Sequence, residues 1–364
     1  MNRRICLHGT DDNTGIGTHL RNVTRHLRNI DGYGDCVEYI TRYLEFDDRV
    51  ASARASKDSD THIFFLDEAF APFYKGTKII WYVFDLTKIP ETEIASLIKN
   101  YDEIWVPSEW GRQILLQHAV PFSKIRVMPE GVDAQTHFPD PLSSKEENGR
   151  VRLLQIGKFE TRKSYYESVM SINKAFGNPE NVEYFVKCDW LKGNESLQHG
   201  MENLVFGHCR ASTYTITGNV SAEEMIRLYR SADAFLFPSK GEGWGLPLLE
   251  ALACGVPCLA TNYSGQSEYL KDVEGLYLSL DFTLSPMNCP DTKIRLPRPE
   301  NDWGLWAVAD QDDFAMKLRQ CVEQKTRWKA NALAASKIVR ELYSWEACAR
   351  RVHKAICEID QNKG

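Results

Sequence analysis

Residues 234–260 read AFLFPSKGEGWGLPLLEALACGVPCLA. The opening AFLF is a short apolar run of the kind that forms a buried strand, and VPCLA at the end is another. Between them Gly241, Gly243 and Gly245 let the backbone take positive φ and leave its amides uncovered by side chains. Pro247 suits the first turn of a helix, and Gly255 supplies a left-handed cap to end it. Strand, glycine-rich turn, helix and strand make a crossover unit, which implies a parallel sheet. From Leu246 to Gly255 the only charged residue is Glu250, so this helix is expected to be buried nearly all round. A carboxylate in that setting costs several kcal/mol unless donors reach it. A ribose diol would supply two, each charge-assisted bond being worth roughly 1.5–3 kcal/mol. An internal salt bridge or capping contact would satisfy it equally well.

The same rhythm extends in both directions. RRICLH, CVEYI, THIFFL, KIIWYVF, EIWVP and KIRVM read as strands of a first half, separated by segments of helical length. VRLLQIG, VEYFV and TYTIT precede AFLFP and VPCLA in a second half, with helices expected near 163–176, 221–231 and 246–254. The fold class is therefore α/β, with two consecutive Rossmann-like, doubly wound parallel-sheet domains. Residues 139–150 (PDPLSSKEENGR) are polar, proline-bearing and aperiodic, and read as a linker between domains at 1–138 and 151–344. The stretch 271–306 is rich in Pro, Asp and Asn and reads as long loops, whereas 310–360 is helical by pattern.

With 364 residues, a 43% apolar and 26% charged composition, and a formal net charge of -6, the chain is long enough for two cores. It carries no global basic field, so nucleic acid is not an expected partner. Ten scattered cysteines without a Cys-x-x-Cys pair fit buried free thiols in a reducing compartment. The apolar run in MNRRICLHGT is too short for a signal peptide, and no stretch is long enough to span a bilayer. A cytoplasmic protein, or one peripheral to the cytoplasmic membrane face, is expected.

Glu242, seven intervening residues and Glu250, within GEGWGLPLLEALACGVPCLA, closely resemble the Glu-x7-Glu signature of glycosyltransferase family 4, a retaining family of GT-B fold. The resemblance implies that Glu250 holds the ribose and that Glu242 lies near the transferred sugar. It implies further that Gly243, Trp244, Gly245 and Leu246 belong to the donor site, the backbone amides of the first three meeting the sugar and phosphate. Ser264, Gly265 and Glu268 resemble the family's small-residue turn and following glutamate, with Ser264 in place of one glycine. ELYSWEACARRVHKAI resembles the terminal region, whose last helix, here 345–364, crosses back to the N-terminal domain.

After the strand VRLLQIG, Lys158, Arg162 and Lys163 stand in a loop at the mouth of a helix. Two or three cations and a helix start form a diphosphate site without a metal, although a solvated basic turn has the same composition. The spacing from Lys158 to Lys163 resembles the family's Arg/Lys pair, which implies phosphate binding at both. In the N-terminal half Gly15, Gly17 and Thr18 resemble the glycine-rich first loop that faces donor phosphates or acceptor; a plain tight turn is the alternative. The third glycine of a dinucleotide fingerprint is absent, Leu20 standing there. Arg21, Arg25 and Arg28 share a helix face that would meet solvent or an anionic surface.

Phe84 stands where many relatives place a histidine at or beside the catalytic site. Asp85 would take over acceptor orientation or proton handling, or serve as a structural cap; His8 and His118 are the alternatives. Asp58-Ser59-Asp60 has the form of a metal-binding triplet but precedes a strand, and reads as a polar turn. No metal site and no cofactor are expected.

The implied activity is metal-independent, retaining transfer of a hexose-type sugar from a nucleoside diphosphate sugar. The acceptor would be a hydroxyl of a glycan, glycolipid or other molecule, as in polysaccharide or glycoconjugate biosynthesis. The candidate catalytic residues are Glu242, Lys163, Lys158 and Asp85. Two other readings are a non-catalytic nucleotide-sugar-binding subunit and a GT-B epimerase acting on a free nucleotide sugar.

Overall fold

A computed structural model describes residues 4–10, 14–30, 33–41, 46–65, 71–140, 149–177, 180–189, 203–287 and 302–361. The chain divides into two compact units, one of Met1–Asp133 with Glu341–Gly364 and the other of Ala134–Arg340.

The first unit contains strands β1 (Ile5–Gly9), β2 (Val37–Thr41), β3 (Thr61–Phe64), β4 (Thr77–Trp81), β5 (Glu103–Val106) and β6 (Ile125–Val127). Their order is β2-β1-β3-β4-β5-β6, with every pairing parallel. Strands β1 and β3 are buried at every position, as expected for a parallel sheet covered on both faces. Helices α1 (Gly15–Arg28), α2 (Phe46–Ala55), α3 (Glu91–Asn100) and α4 (Glu109–Gln117) follow β1, β2, β4 and β5. Thr14 and Ser108 cap α1 and α4 by accepting the amides of Gly17 and Gly111.

The second unit contains β7 (Val151–Lys158), β8 (Val182–Asp189), β9 (Ser212–Ile216), β10 (Ala234–Phe237), β11 (Cys258–Thr261) and β12 (Leu278–Leu280), in the parallel order β12-β11-β10-β7-β8-β9. The chain runs outward from β7 through β9 and then returns to build the other side from β10. The reversal falls between β7 and β10, and in open sheets the crevice beyond the carboxyl ends at such a point receives ligands. Helices α5 (Tyr165–Phe176), α6 (Ala222–Ser231), α7 (Leu246–Ala253), α8 (Ser267–Leu270), α9 (Gln311–Glu323) and α10 (Lys325–Leu342) complete the unit. Its core gathers Leu153, Leu236, Leu259 and Phe314 with the buried faces of α5 and α9. The C-terminal helix α11 (Trp345–Gln361) lies in the first unit and packs on α1, and at its start the Trp345 amide donates to Val132 O, after β6, at 3.1 Å.

Two expectations change. The stretch 271–306 is not all loop: it holds β12 and a hairpin, β13 (Phe282–Pro286) paired antiparallel with β14 (Leu305–Ala309). These strands, of three to five residues, are too short to show a period. The division of the chain also falls at 133/134 and 340/341 rather than at the polar stretch. Arg340 donates to Ala134 O at 3.0 Å, and Arg230 to Thr136 O and Phe138 O at 3.1 Å each, which fastens 134–138 to the second unit. Val132 N donates to Tyr343 O at 2.8 Å, which fastens the chain after α10 to the first. Residues 141–148 of the expected linker lie outside the described residues.

The nine cysteines among the described residues are free. Among the described residues no helix is long and apolar enough to cross a membrane.

Candidate active site

At the switch point of the second unit, the loop after β7 meets the loop after β10. Lys163 Nζ donates to Glu242 Oε1 at 2.5 Å, and Arg162 NH1 to Glu242 Oε2 at 2.7 Å. The Ser239 hydroxyl donates to Oε1 as well. Arg162 NH1 also donates to Gly241 O at 3.1 Å, and its Nε donates to Glu160 at 2.7 Å. Gln155, on β7, donates to the carbonyl of Lys163 at 2.7 Å and accepts from Tyr184 Oη at 2.6 Å. Gly157 makes room for the lysine stem, since a Cβ there would sit 3.1 Å from Lys163 Cε. Lys158 ends β7 with its side chain exposed.

Burial alone would raise the carboxyl of Glu242, but Arg162 and Lys163 outweigh it and hold the group at about 2. Burial lowers Lys163 from its ordinary value, with the neighbouring Arg162 acting the same way against Glu242. The result is a buried, ionised cluster of two cations and two carboxylates at the mouth of α5. Ser164, which begins that helix, has φ 58° in the left-handed region, and among the described residues its buried hydroxyl has no hydrogen-bond partner. Helix start, cations and unsatisfied hydroxyl together match the chemistry of an anion site.

The glycine-rich loop is clamped from behind. Gly265 N donates to Glu242 O at 2.9 Å, and a Cβ on Gly265 would come within 2.0 Å of Gly243 O. Ser264 adopts φ 62°, a conformation suited to glycine, and in exchange its hydroxyl accepts the Glu242 amide at 2.8 Å. Trp244 is buried edge-on against Tyr269, whose hydroxyl donates to Gly245 O at 3.0 Å. Gly243 and Leu246 are half-buried, and Glu268 pairs with Lys271 at 2.5 Å. From the hairpin, Ala307 N donates to Lys240 O at 2.9 Å, and Lys240 reaches Glu167 at 2.6 Å across the ring of Trp306.

Glu250 departs from expectation. Most of α7 is buried, but Glu250 is only half-buried, and Tyr229 Oη on α6 donates to its Oε2 at 2.6 Å. Part of its hydrogen-bonding capacity is thus met internally, by a residue 21 positions away that the reading of a single helix could not supply.

The remaining candidates belong to the first unit. Gly15 and Gly17 lie in the first turn of α1 rather than in a loop, because Thr14 caps the helix ahead of them. Thr18 N donates to Thr14 O at 2.9 Å. Asp85 and Phe84 follow β4; Asp85 is half-buried, and the Phe84 ring packs against Tyr82 and Trp110 at 4.9 and 5.6 Å. His118 is occupied on both nitrogens, accepting from Ile89 N at 3.0 Å and donating to Ile114 O at 2.9 Å. His8 meets His62 at 2.9 Å, and burial drives its imidazole well below the ordinary range. Neither histidine is disposed to exchange protons with an acceptor. Asp60 accepts from Arg4 at 2.9 Å and from Lys57 N at 2.8 Å, within a turn.

Residues 191–279 match the family described as glycosyl transferases, group 1. The chain is 25% identical over 275 residues to the sulfoquinovosyl transferase of Arabidopsis thaliana, covering 71% of this chain and 48% of that protein. It is 44% identical over 140 residues to the O-antigen chain mannosyltransferase B of Escherichia coli, covering 38% of this chain and 28% of that one. It therefore spans less than half the length of either relative. Among solved structures, Anabaena HepE in complex with UDP and glucose superimposes with a TM-score of 0.73 at 11% identity, covering 98% of this chain and 99% of that one. At such identity the likeness speaks for architecture: the two parallel six-stranded sheets of this chain have the GT-B fold of glycosyltransferase structures.

Proposed function

We propose that the protein is a retaining glycosyltransferase of the family 4 type, moving a hexose-type sugar from a nucleoside diphosphate sugar to a hydroxyl of a glycan, glycolipid or other acceptor. The observation that carries this reading is the convergence of Arg162 and Lys163 on Glu242 at the switch point, beside the start of α5. Cations at a helix start suit a diphosphate, and HepE, of the same fold, is a complex with UDP and glucose. The resemblance of the Glu242-to-Glu250 segment to the family 4 signature supplies the stereochemistry.

In this reading Lys158, Arg162, Lys163 and the amides opening α5 hold the diphosphate. Glu250 accepts from the ribose, and Glu242 with the loop Gly243–Leu246 faces the sugar. In the first unit Asp85 is the residue assigned to the acceptor hydroxyl. Charge builds on the leaving diphosphate as the glycosidic bond breaks, and positive groups already fixed there stabilise it with little reorganisation. The leaving phosphate oxygen takes the proton of the incoming hydroxyl on the same face, which retains configuration without a carboxylate nucleophile. Because fixed cations neutralise the leaving group, the transfer proceeds without a divalent ion.

The test incubates the protein with UDP-, GDP- and ADP-sugars, with and without oligosaccharide or lipid acceptors and with EDTA present. Nucleotide release together with an α-linked product from an α-linked donor is expected. Binding without any release would instead identify a nucleotide-sugar-binding subunit, and isomerised free donor an epimerase.

A further inference from the structure

Tyr229 plays no part in the reaction as proposed, yet its contact is specific. It lies on α6 with 0% of its surface exposed, its ring against Phe235 at 5.7 Å, and its hydroxyl donates to Glu250 Oε2 at 2.6 Å. Burial and the adjacent Glu250 carboxylate both push the phenol well above its ordinary value, so it remains a donor throughout the working pH range. Among the described residues it is the side chain that donates to this carboxylate. A half-buried glutamate on a helix otherwise made of Leu, Ala and Pro has three side-chain torsions to fix before it can present an oxygen to a ligand.

We infer that Tyr229 is a positioning residue for ribose recognition: by holding Oε2 from inside the fold it sets the carboxylate plane and leaves Oε1 to accept the ribose hydroxyls. This rests on the reading of Glu250 as the ribose ligand. Without the phenol, immobilising the carboxylate becomes a cost of binding, which for one flexible side chain is worth about three- to tenfold in affinity, or about 0.7–1.4 kcal/mol.

The experiment measures binding of UDP, GDP and ADP, and of their 2′,3′-dideoxy counterparts, by calorimetry to wild type, Tyr229→Phe and Glu250→Gln, using the base that binds best. Wild type should prefer the ribonucleotide at least tenfold, and Glu250→Gln should nearly abolish that preference. Tyr229→Phe should bind the ribonucleotide three- to tenfold more weakly while holding the dideoxy analogue as wild type does. A purely structural tyrosine would weaken both analogues equally, and that result overturns the inference, as does an unchanged preference in Tyr229→Phe alongside its loss in Glu250→Gln; in either case the ribose role of Glu250 stands. If wild type does not discriminate, or Glu250→Gln discriminates as wild type does, the ribose reading fails and the role of Tyr229 fails with it.

Discussion

Lys163 and Glu242, 79 positions apart in the chain, meet at 2.5 Å where the loops after β7 and β10 converge. Each is less than a tenth exposed, so neither is solvated well enough to stand alone. Arg162 and Ser239 complete the shell of donors around the carboxylate. The contact therefore joins two loops of the switch point into one rigid piece, and in the function proposed above the same cations hold the diphosphate.

Glu242 is held at about 2 against an ordinary 4.5, so the folded protein binds fewer protons there than the unfolded chain. The stabilisation is fully present above pH 4.5 and is lost as pH falls from 4.5 through 2. For a fully buried group this difference amounts to about 3 kcal/mol. Glu242→Gln should be less stable at pH 7 and should lose less on acidification. Urea unfolding at pH 7 and pH 3 measures it, and an acid limb equal to that of wild type would contradict the assignment.

Lys163 separates the structural role of the pair from its chemical one. Lys163→Met keeps the stem in the space left by Gly157 but removes the charge, at a cost of about 3 kcal/mol for a broken buried pair. Adding Glu242→Gln removes the carboxylate left behind, so the double variant should recover about 1–3 kcal/mol in a thermodynamic cycle. Nucleotide release from the donor should remain depressed in both, by about a hundredfold or more, since the phosphate cation is gone in each. Recovery of turnover together with stability would show that Lys163 acts only by packing.

Why some of this was legible and some not follows from range. Apolar runs such as IFF and IIWYV sit on parallel strands covered on both faces, so a local pattern was enough to place them. The hairpin of β13 and β14 escaped because its strands take their order from contacts with Lys240 and Tyr263 rather than from a repeat. The loops that carry Glu242 and Lys163 were visible as punctuation, but their pairing, and the hold of Tyr229 on Glu250, are tertiary facts. Ser264 shows the same limit from the other side. It reads as a lost glycine, whereas in the fold its hydroxyl accepts the Glu242 amide that a glycine would leave to another partner.

Gly265 has no tolerance for a side chain. An added Cβ would lie 2.0 Å from Gly243 O and 2.8 Å from Glu242 O, both backbone atoms, so the two loops would have to part. Gly265→Ala should cost about 2–4 kcal/mol in stability and weaken nucleotide-sugar binding at least about tenfold, because Gly243 and Glu242 move together. Thermal unfolding and donor titration measure the two effects; wild-type affinity in a folded variant would remove this turn from the donor site.

In the first unit His19 Nδ1 lies 3.4 Å from Glu130 Oε2, both side chains almost fully buried among Phe65, Trp81 and Trp345. Burial pushes Glu130 up to about 8 and His19 down to about 3, so near neutrality the pair holds one proton that the unfolded chain would release. For Glu130 the folded state binds more protons than the unfolded one between 4.5 and about 8, and stability falls as pH rises through that window. For His19 it binds fewer between about 3 and 6.5, and stability falls as pH drops through that range. The two slopes cancel between 4.5 and 6.5, leaving a plateau with a loss of about 2 kcal/mol from 6.5 to 8 on the alkaline side. Glu130→Gln keeps the shape and removes the ionisation, so it should abolish that alkaline loss. Hydrogen exchange of the β1, β3 and β4 amides at pH 6 and 8.5 reads the first unit separately from the second. Protection that falls equally in wild type and Glu130→Gln would show that the Glu130 carboxyl does not titrate between pH 6 and 8.5, and would overturn this assignment.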